Sequence, residues 1–229
     1  MLPDSTVSLL TVLWPTLLTL VGAGAGVGLN ALADQVQRGQ PGSLAVPRRK
    51  LRLVLVTALL FGLAGWRFGF TWRAALDCVY LGVLVLVTAT DLEHRLIPHR
   101  FILPAILLAL VTGFFVDWMT WKAALLGGVV GLVFFSAAYA FAAVLYPGKI
   151  ALGMGDVTLA TFIGLAVGFP SALVAVMLGV LMGGLFSTLL LVTRRATLHT
   201  AIPYGPFLVL GGLIAMFWGQ AITRWWMGV

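Results

Sequence analysis

The residues with the clearest capacity for chemistry are two acids set in apolar surroundings. Asp91 stands in Thr90-Asp91-Leu92-Glu93-His94-Arg95-Leu96-Ile97-Pro98, and Asp156 in Gly153-Met154-Gly155-Asp156-Val157-Thr158. Two carboxyl groups brought together can share one proton and activate a water. The ionised one takes a proton from the water as it attacks a carbonyl. Its protonated partner polarises that carbonyl and then helps protonate the leaving group. Like charges at close range push the two ionisations apart, so such a pair titrates as a unit. An ionisable side chain within a membrane helix is expensive and marks a functional site by default. Taken from the residues alone, a structural or proton-coupling role competes with catalysis.

The chain has only seven acidic residues, so each of the others can be weighed. Asp4 lies in the N-terminal tail, and Asp34 and Asp117 fall at predicted span ends, where a solvated charge is the ordinary reading. Asp77 falls near the outer end of the third span, about 21 Å along a helix from Asp91. It is expected to make a contact between helices and not to share a site with Asp91. Glu93 is two positions from Asp91, a spacing at which helical side chains do not face each other. It reads as a charge-pairing residue that shapes the site. His94 and His99 read as loop histidines, because no carboxylate–histidine spacing matches a zinc-protease motif. Cys78 is the only cysteine, which excludes an internal disulfide and a cysteine zinc cluster. No metal and no cofactor is expected.

The elements that must position these acids follow from composition. The chain has 229 residues, 61% hydrophobic and 9% charged, against about 25% charged in an ordinary soluble domain. Such a chain exposes its apolar surface to lipid, where each helical crossing takes about 20 apolar residues. The long apolar runs lack period-two alternation, so an all-α polytopic bundle is expected, as a single membrane domain. Eight spans are predicted, near 7–33, 51–68, 72–90, 101–116, 123–145, 157–168, 172–192 and 206–222. The breaks fall at Arg48-Arg49-Lys50, Pro98, Pro147-Gly148 and Pro170. The first apolar run has no basic residue before it, unlike a signal peptide, and is expected to be retained. Gly22 and Gly26 are spaced for close helix packing.

The net charge of +7 does not imply nucleic acid, because the basic residues sit in connectors, the ordinary signature of membrane topology. One set of loops holds Arg38, Arg48, Arg49, Lys50, Arg52, Arg95, Arg100, Lys149, Arg194 and Arg195. The other side holds only Arg67, Arg73, Lys122 and Arg224. The first set is expected in the cytoplasm, with both termini outside. Trp72, Trp118, Trp121, Trp225 and Trp226 then fall near the outer interface. Asp91 and Asp156 share the cytoplasmic side at similar depth. The fourth and sixth spans are too short for a full crossing, the sixth covering about 18 Å against about 30 Å of hydrocarbon. Short helices leave room for a water-filled recess beside the two acids.

Gly153 and Gly155 are expected to allow backbone geometries closed to other residues, and also to let another chain approach the backbone closely. Asp156 would then open a recessed helix, whose N-terminus favours negative charge, whereas Asp91 lies near a helix C-terminus, which disfavours it. Asp156 is therefore expected to be ionised more often, with Asp91 carrying the proton. Lys149 is expected near anionic lipid or an acidic substrate segment. Pro203, Gly205 and Pro206, in Pro203-Tyr204-Gly205-Pro206, interrupt helix geometry before the last span. They offer either extended backbone to a substrate or a plain helix start.

Taken together, these blocks resemble the type IV prepilin peptidases, a family within the Gly-x-Gly-Asp intramembrane aspartyl proteases. The resemblance runs from about Leu51 to Leu210. It is carried by Trp66-Arg67-Phe68-Gly69, by 91–98, by Lys149-Ile150-Ala151-Leu152-Gly153-Met154-Gly155-Asp156, and by Ile202-Pro203-Tyr204-Gly205-Pro206-Phe207-Leu208. It implies that Asp91 and Asp156 are catalytic; beside them, Gly153, Gly155, Glu93, Lys149, Pro203, Gly205 and Pro206 are the residues read as shaping the site or binding substrate. It further implies an endopeptidase of the bacterial inner membrane that trims leaders from prepilin-like or pseudopilin proteins at the cytoplasmic face. Thr158 and His99 depart from the family's frequent Lys and Asp. A larger departure lies at 34–50, a short loop where many relatives carry a four-cysteine zinc insert linked to N-methylation. The resemblance therefore implies a reduced member, and it does not carry the methyl-transfer half of the family's activity over to this chain. Two rivals remain: a small transporter or channel relaying protons through Asp77, Asp91 and Asp156, and an inactive scaffold in a pilus or secretion complex. Oligomeric state is left open.

Overall fold

A computed structural model describes residues 4–37, 48–145, 153–195 and 203–228. All regular structure among them is helical: α1 (Asp4–Gln37), α2 (Arg49–Phe68), α3 (Trp72–His94), α4 (His99–Thr112), α5 (Trp121–Leu145), α6 (Met154–Val167), α7 (Ser171–Val192) and α8 (Gly205–Met227). Six are long and apolar enough to cross a membrane, and α4 and α6 are shorter apolar helices. The chain is a multi-pass membrane protein. The expected short spans are thus real helices, displaced toward the N-terminus by two or three residues at their starts. Each has 14 residues, about 21 Å of rise.

Helix ends follow local chemistry. Gly69, at φ 65°, closes α2 and returns its N–H to the Gly65 carbonyl. Thr71 and Thr120 accept hydrogen bonds from the N–H groups of Ala74 and Ala123 in the first turns of α3 and α5, the ordinary role of a hydroxyl at a helix start. α3 stops where Arg95 turns into the left-handed region at φ 56°. Pro98 then precedes α4 in extended geometry.

The chain falls into two compact units, Met1–Thr90 and Asp91–Val229. In the first, Gly22 lets α1 approach the backbone of α2 at Thr57 and Ala58, and Gly26 does so at Val54. A Cβ on Gly22 would lie 2.7 Å from the Thr57 oxygen, so this is the close packing their spacing predicts. Leu53, Val85 and Ala89 form a buried cluster with Leu29 and Leu60. Arg49 is buried. Its Nε donates to Asn30 Oδ1 at 2.9 Å and its Nη2 pairs with Asp34. Asp34 is exposed yet paired, so its charge is not merely solvated as expected. Asp77 is buried and pairs with Arg73, one turn earlier on its own helix, at 3.6 Å. The Arg73 guanidinium in turn lies 4.2 Å from the ring centre of Phe68, the last residue of α2.

In the second unit, α6 packs against α4, α5, α7 and α8. Asp156, Val157, Leu159, Ala160, Phe162, Ile163, Gly164 and Leu165 are all buried along it. That burial on every side explains its lack of an apolar stripe. α5 and α6 meet through small residues, Gly127 against Gly164 and Gly131 against Ala160. α7 and α8 meet at Gly179 and Gly211. Leu181, Leu185, Leu189 and Val192 of α7 are exposed and suit lipid.

A Cβ on Gly131 would collide with the Ala160 carbonyl, whereas one on Gly184 would meet nothing within 4 Å. Gly131→Ala should therefore destabilise the unit by about 1–3 kcal/mol, the usual scale of overpacking. Gly184→Ala should be neutral or mildly stabilising, since alanine is the better helix former. Thermal unfolding of both variants in detergent checks the contrast. Equal melting temperatures for the two would contradict the packing described.

Candidate active site

Asp91 sits in the last turn of α3, on the segment that belongs to the second unit. It is buried, with 5% of its surface exposed. Its Oδ2 accepts a hydrogen bond from the Gly205 N–H at 3.1 Å, across a sequence separation of 114 residues. Gly205 is the first residue of α8, whose N–H has no partner within its own helix. Asp91 thus occupies the electropositive start of α8. Arg95 is also within electrostatic reach of Asp91, and its N–H donates to the Asp91 carbonyl at 2.8 Å.

Asp156 lies in the first turn of α6 and is also buried, at 8%. Its Oδ2 accepts from the Gly153 N–H at 3.1 Å, while its own N–H donates to the Gly153 carbonyl at 3.0 Å. This is the carboxylate half of a capping box. The two acids are brought together: the charge of Asp91 acts on the Asp156 carboxylate. Each carboxyl group is therefore held by a main-chain N–H at a helix start, and the two lie in one electrostatic neighbourhood.

Gly155 explains the approach. A Cβ at 155 would lie 2.7 Å from Ile97 Cβ. Ile97 follows the Asp91 turn directly, so the bare glycine lets the Asp91 segment press against the first turn of α6. The expectation of unusual backbone at Gly153 and Gly155 is not met. Neither has positive φ, and Gly153 has φ −90° and ψ 147°, open to any residue. Close approach at Gly155 is the physical reason instead. A Cβ at 153 would make only ordinary contact, 3.5 Å from Asp156 Oδ2, so nothing steric requires glycine there.

Gly205 and Pro206 begin α8, which decides for a plain helix start at these two positions. Pro203 precedes it outside the helix and is half-buried. A Cβ on Gly205 would lie 2.6 Å from Asp91 Oδ2. Glu93 is half-buried in the last turn of α3 and His94 ends that helix, while His99 is exposed. Asp117 is exposed as expected. Lys149 lies outside the described residues. Among the described residues no group of three histidines, cysteines or acids is placed to hold a metal ion.

Sequence reasoning missed one residue, Tyr204. Its ring packs on Gly183 of α7, where a Cβ would lie 2.6 Å from Cε2. The ring centre lies 5.9 Å from that of Phe135 and 6.5 Å from that of Phe207. Burial first, and then the nearby charge of Asp156, push its phenol up to about 12, so it keeps its proton at neutral pH. The only signal in the sequence was its place beside Gly205.

Comparison with known proteins matches this sequence to a family. Residues 78–188, which include both acids, match the type IV leader peptidase family. A prepilin leader peptidase/N-methyltransferase of Pseudomonas aeruginosa is 34% identical over 79% of this chain and 62% of its own length. One from Xanthomonas campestris is 32% identical over 81% of this chain and 63% of its own. One from Bacillus subtilis is 31% identical over 76% of this chain and 67% of its own. The chain thus spans less than two thirds of the Pseudomonas and Xanthomonas relatives. No solved structure matches. Both aspartate blocks fall within the matched residues, and on that likeness the chain belongs to the type IV leader peptidase family.

Proposed function

We propose that this protein is an intramembrane aspartyl endopeptidase that removes leader peptides from prepilin-like or pseudopilin substrates, with Asp91 and Asp156 as its catalytic pair. One observation carries the reading: two buried acids interact in one unit, each oriented by a backbone N–H. The chain's family supports it. In the reaction, the ionised carboxylate takes a proton from a water as the water attacks the scissile carbonyl. The other carboxylic acid donates a hydrogen bond to that carbonyl oxygen and later helps protonate the departing amine. The pair gains one proton from the water and gives one to the amine, so each turnover ends with one acid and one carboxylate restored.

The short α6 supports access. Its rise of about 21 Å falls short of the roughly 30 Å hydrocarbon layer. Water and the unwound end of a substrate helix can therefore reach its N-terminal turn. The basic loops favour the inner membrane's cytoplasmic face for this end, with both termini outside. Only the peptidase half of the relatives' name is carried over. With Cys78 as its one cysteine, the chain does not carry the zinc insert associated with methyl transfer. A proton relay is less well supported, because Asp77 is already paired with Arg73.

The test is to incubate purified protein with a prepilin-type substrate and weigh the products by mass spectrometry. Cleavage at the junction between leader and hydrophobic helix is expected for the parent. Intact substrate with the parent, or proton flux through vesicles that the Asp91→Asn change abolishes, would favour the rivals.

A further inference from the structure

We propose that Tyr204 is a positioning residue for the reaction: its hydroxyl donates to the free carboxylate oxygen of Asp156 when substrate is bound. This rests on the peptidase reading above and extends it to a residue outside the two acidic blocks.

The placement comes from helix register. α5 and α6 run antiparallel, with Gly127 against Gly164 and Gly131 against Ala160. A step of four along one helix is thus a step of four back along the other. The next turn brings Phe135 level with Asp156, since residues four apart share a helix face. The Tyr204 ring is 5.9 Å from the Phe135 ring. Gly183 provides a slot for that ring on α7, and Phe207 borders it one turn into α8. Residues of α5, α7 and α8 thus border the ring, and the register puts its Phe135 neighbour level with the turn that carries Asp156. Meanwhile the next residue's N–H holds Asp91. The Tyr204–Gly205 step thus holds Asp91 through the backbone and sets the Tyr204 phenol within electrostatic reach of Asp156.

The chemistry suits the position. Gly153 N–H already occupies Asp156 Oδ2, leaving Oδ1 to be oriented. The phenol stays protonated, so it can donate without adding a competing anion. No proton is transferred to or from it. The hydroxyl fixes which lone pair of Asp156 faces the attacking water.

Tyr204→Phe keeps the ring in its slot and removes the donor. It is expected to lower kcat roughly tenfold or more, the scale of losing a hydrogen bond to a charged group. KM and melting temperature should stay near those of the parent. Gly183→Ala pushes the ring and should also lower kcat. In the Tyr204→Phe background the Gly183→Ala change should add less than about twofold, because the donor it displaces is already gone. Parent-like kcat in Tyr204→Phe, or additive losses in the double variant, would overturn the inference. The peptidase reading fails separately, if the parent does not cleave or if Asp91→Asn still does.

Discussion

Asp156→Asn is expected to lower leader cleavage by roughly 10²–10⁴-fold while leaving the protein folded. The size follows from the role proposed. A neutral amide neither accepts a proton from water nor holds the single proton that the pair must share, and general acid–base catalysis by one positioned group is worth roughly 10²–10⁴ in rate. The folding half follows from the local geometry. Asp156 accepts one hydrogen bond, from Gly153 N–H at 3.1 Å. The amide oxygen of asparagine can accept the same bond, so the first turn of α6 remains closed. Asp156→Ala removes that bond as well, and should lose stability in addition to activity, by about 0.5–2 kcal/mol on the scale of a lost helix cap. Cleavage rate and melting temperature, measured on the two variants side by side, separate chemistry from folding. Asparagine should affect only the rate. An asparagine variant that melts like the alanine one would mean that the charge at 156 supports the fold.

The second large effect is expected at a residue with no side chain. Gly205→Ala would place a Cβ 2.6 Å from Asp91 Oδ2 and 3.1 Å from its Cγ. Contact that close forces either the carboxyl group or the start of α8 to move. Both atoms belong to one hydrogen bond, Gly205 N–H to Asp91, so either movement breaks it. Asp91 then loses its main-chain donor and its orientation toward Asp156. A misplacement of about 1 Å in a catalytic group can cost about 10² in rate, and that loss is expected in kcat. Alanine is also a better helix former than glycine, so the helix itself should not suffer. A Gly205→Ala protein that melts normally and cleaves at a hundredth of the parent rate fits the proposal. Full activity would show that Asp91 needs neither this contact nor this position.

Much of the architecture was legible because hydrophobicity is a local property. Runs such as 172–192 and 206–222 announce spans through their own composition, and α7 and α8 lie within a few residues of them. The shortness of α4 and α6 was legible too, from Pro98, Pro147-Gly148 and Pro170. Asp91 and Asp156 stood out because acids are scarce in such a chain and because their blocks resemble a family. What stayed hidden depends on contacts between distant segments. Nothing at position 205 signals that its N–H will meet an acid 114 residues away. Nothing near 155 shows that Ile97 needs the space where a side chain would be. Tyr204 read as part of a helix start, and nothing in the sequence set Gly183 apart. Arg49 read as a topology signal, whereas it is buried against Asn30 and Asp34. In each case the residue's own neighbours set its conformation, and tertiary packing set its job.

The central claim is that Asp91 and Asp156 work as one unit, and a double-variant cycle tests it most directly. Single-turnover cleavage would be measured for Asp91→Asn, Asp156→Asn and the combination of both. Residues that act as a unit give strongly non-additive losses. The account predicts that the double variant cleaves no more slowly than the weaker single one, because either change alone already ends proton sharing. Losses that multiply, or a single variant that retains the parent rate, would contradict it.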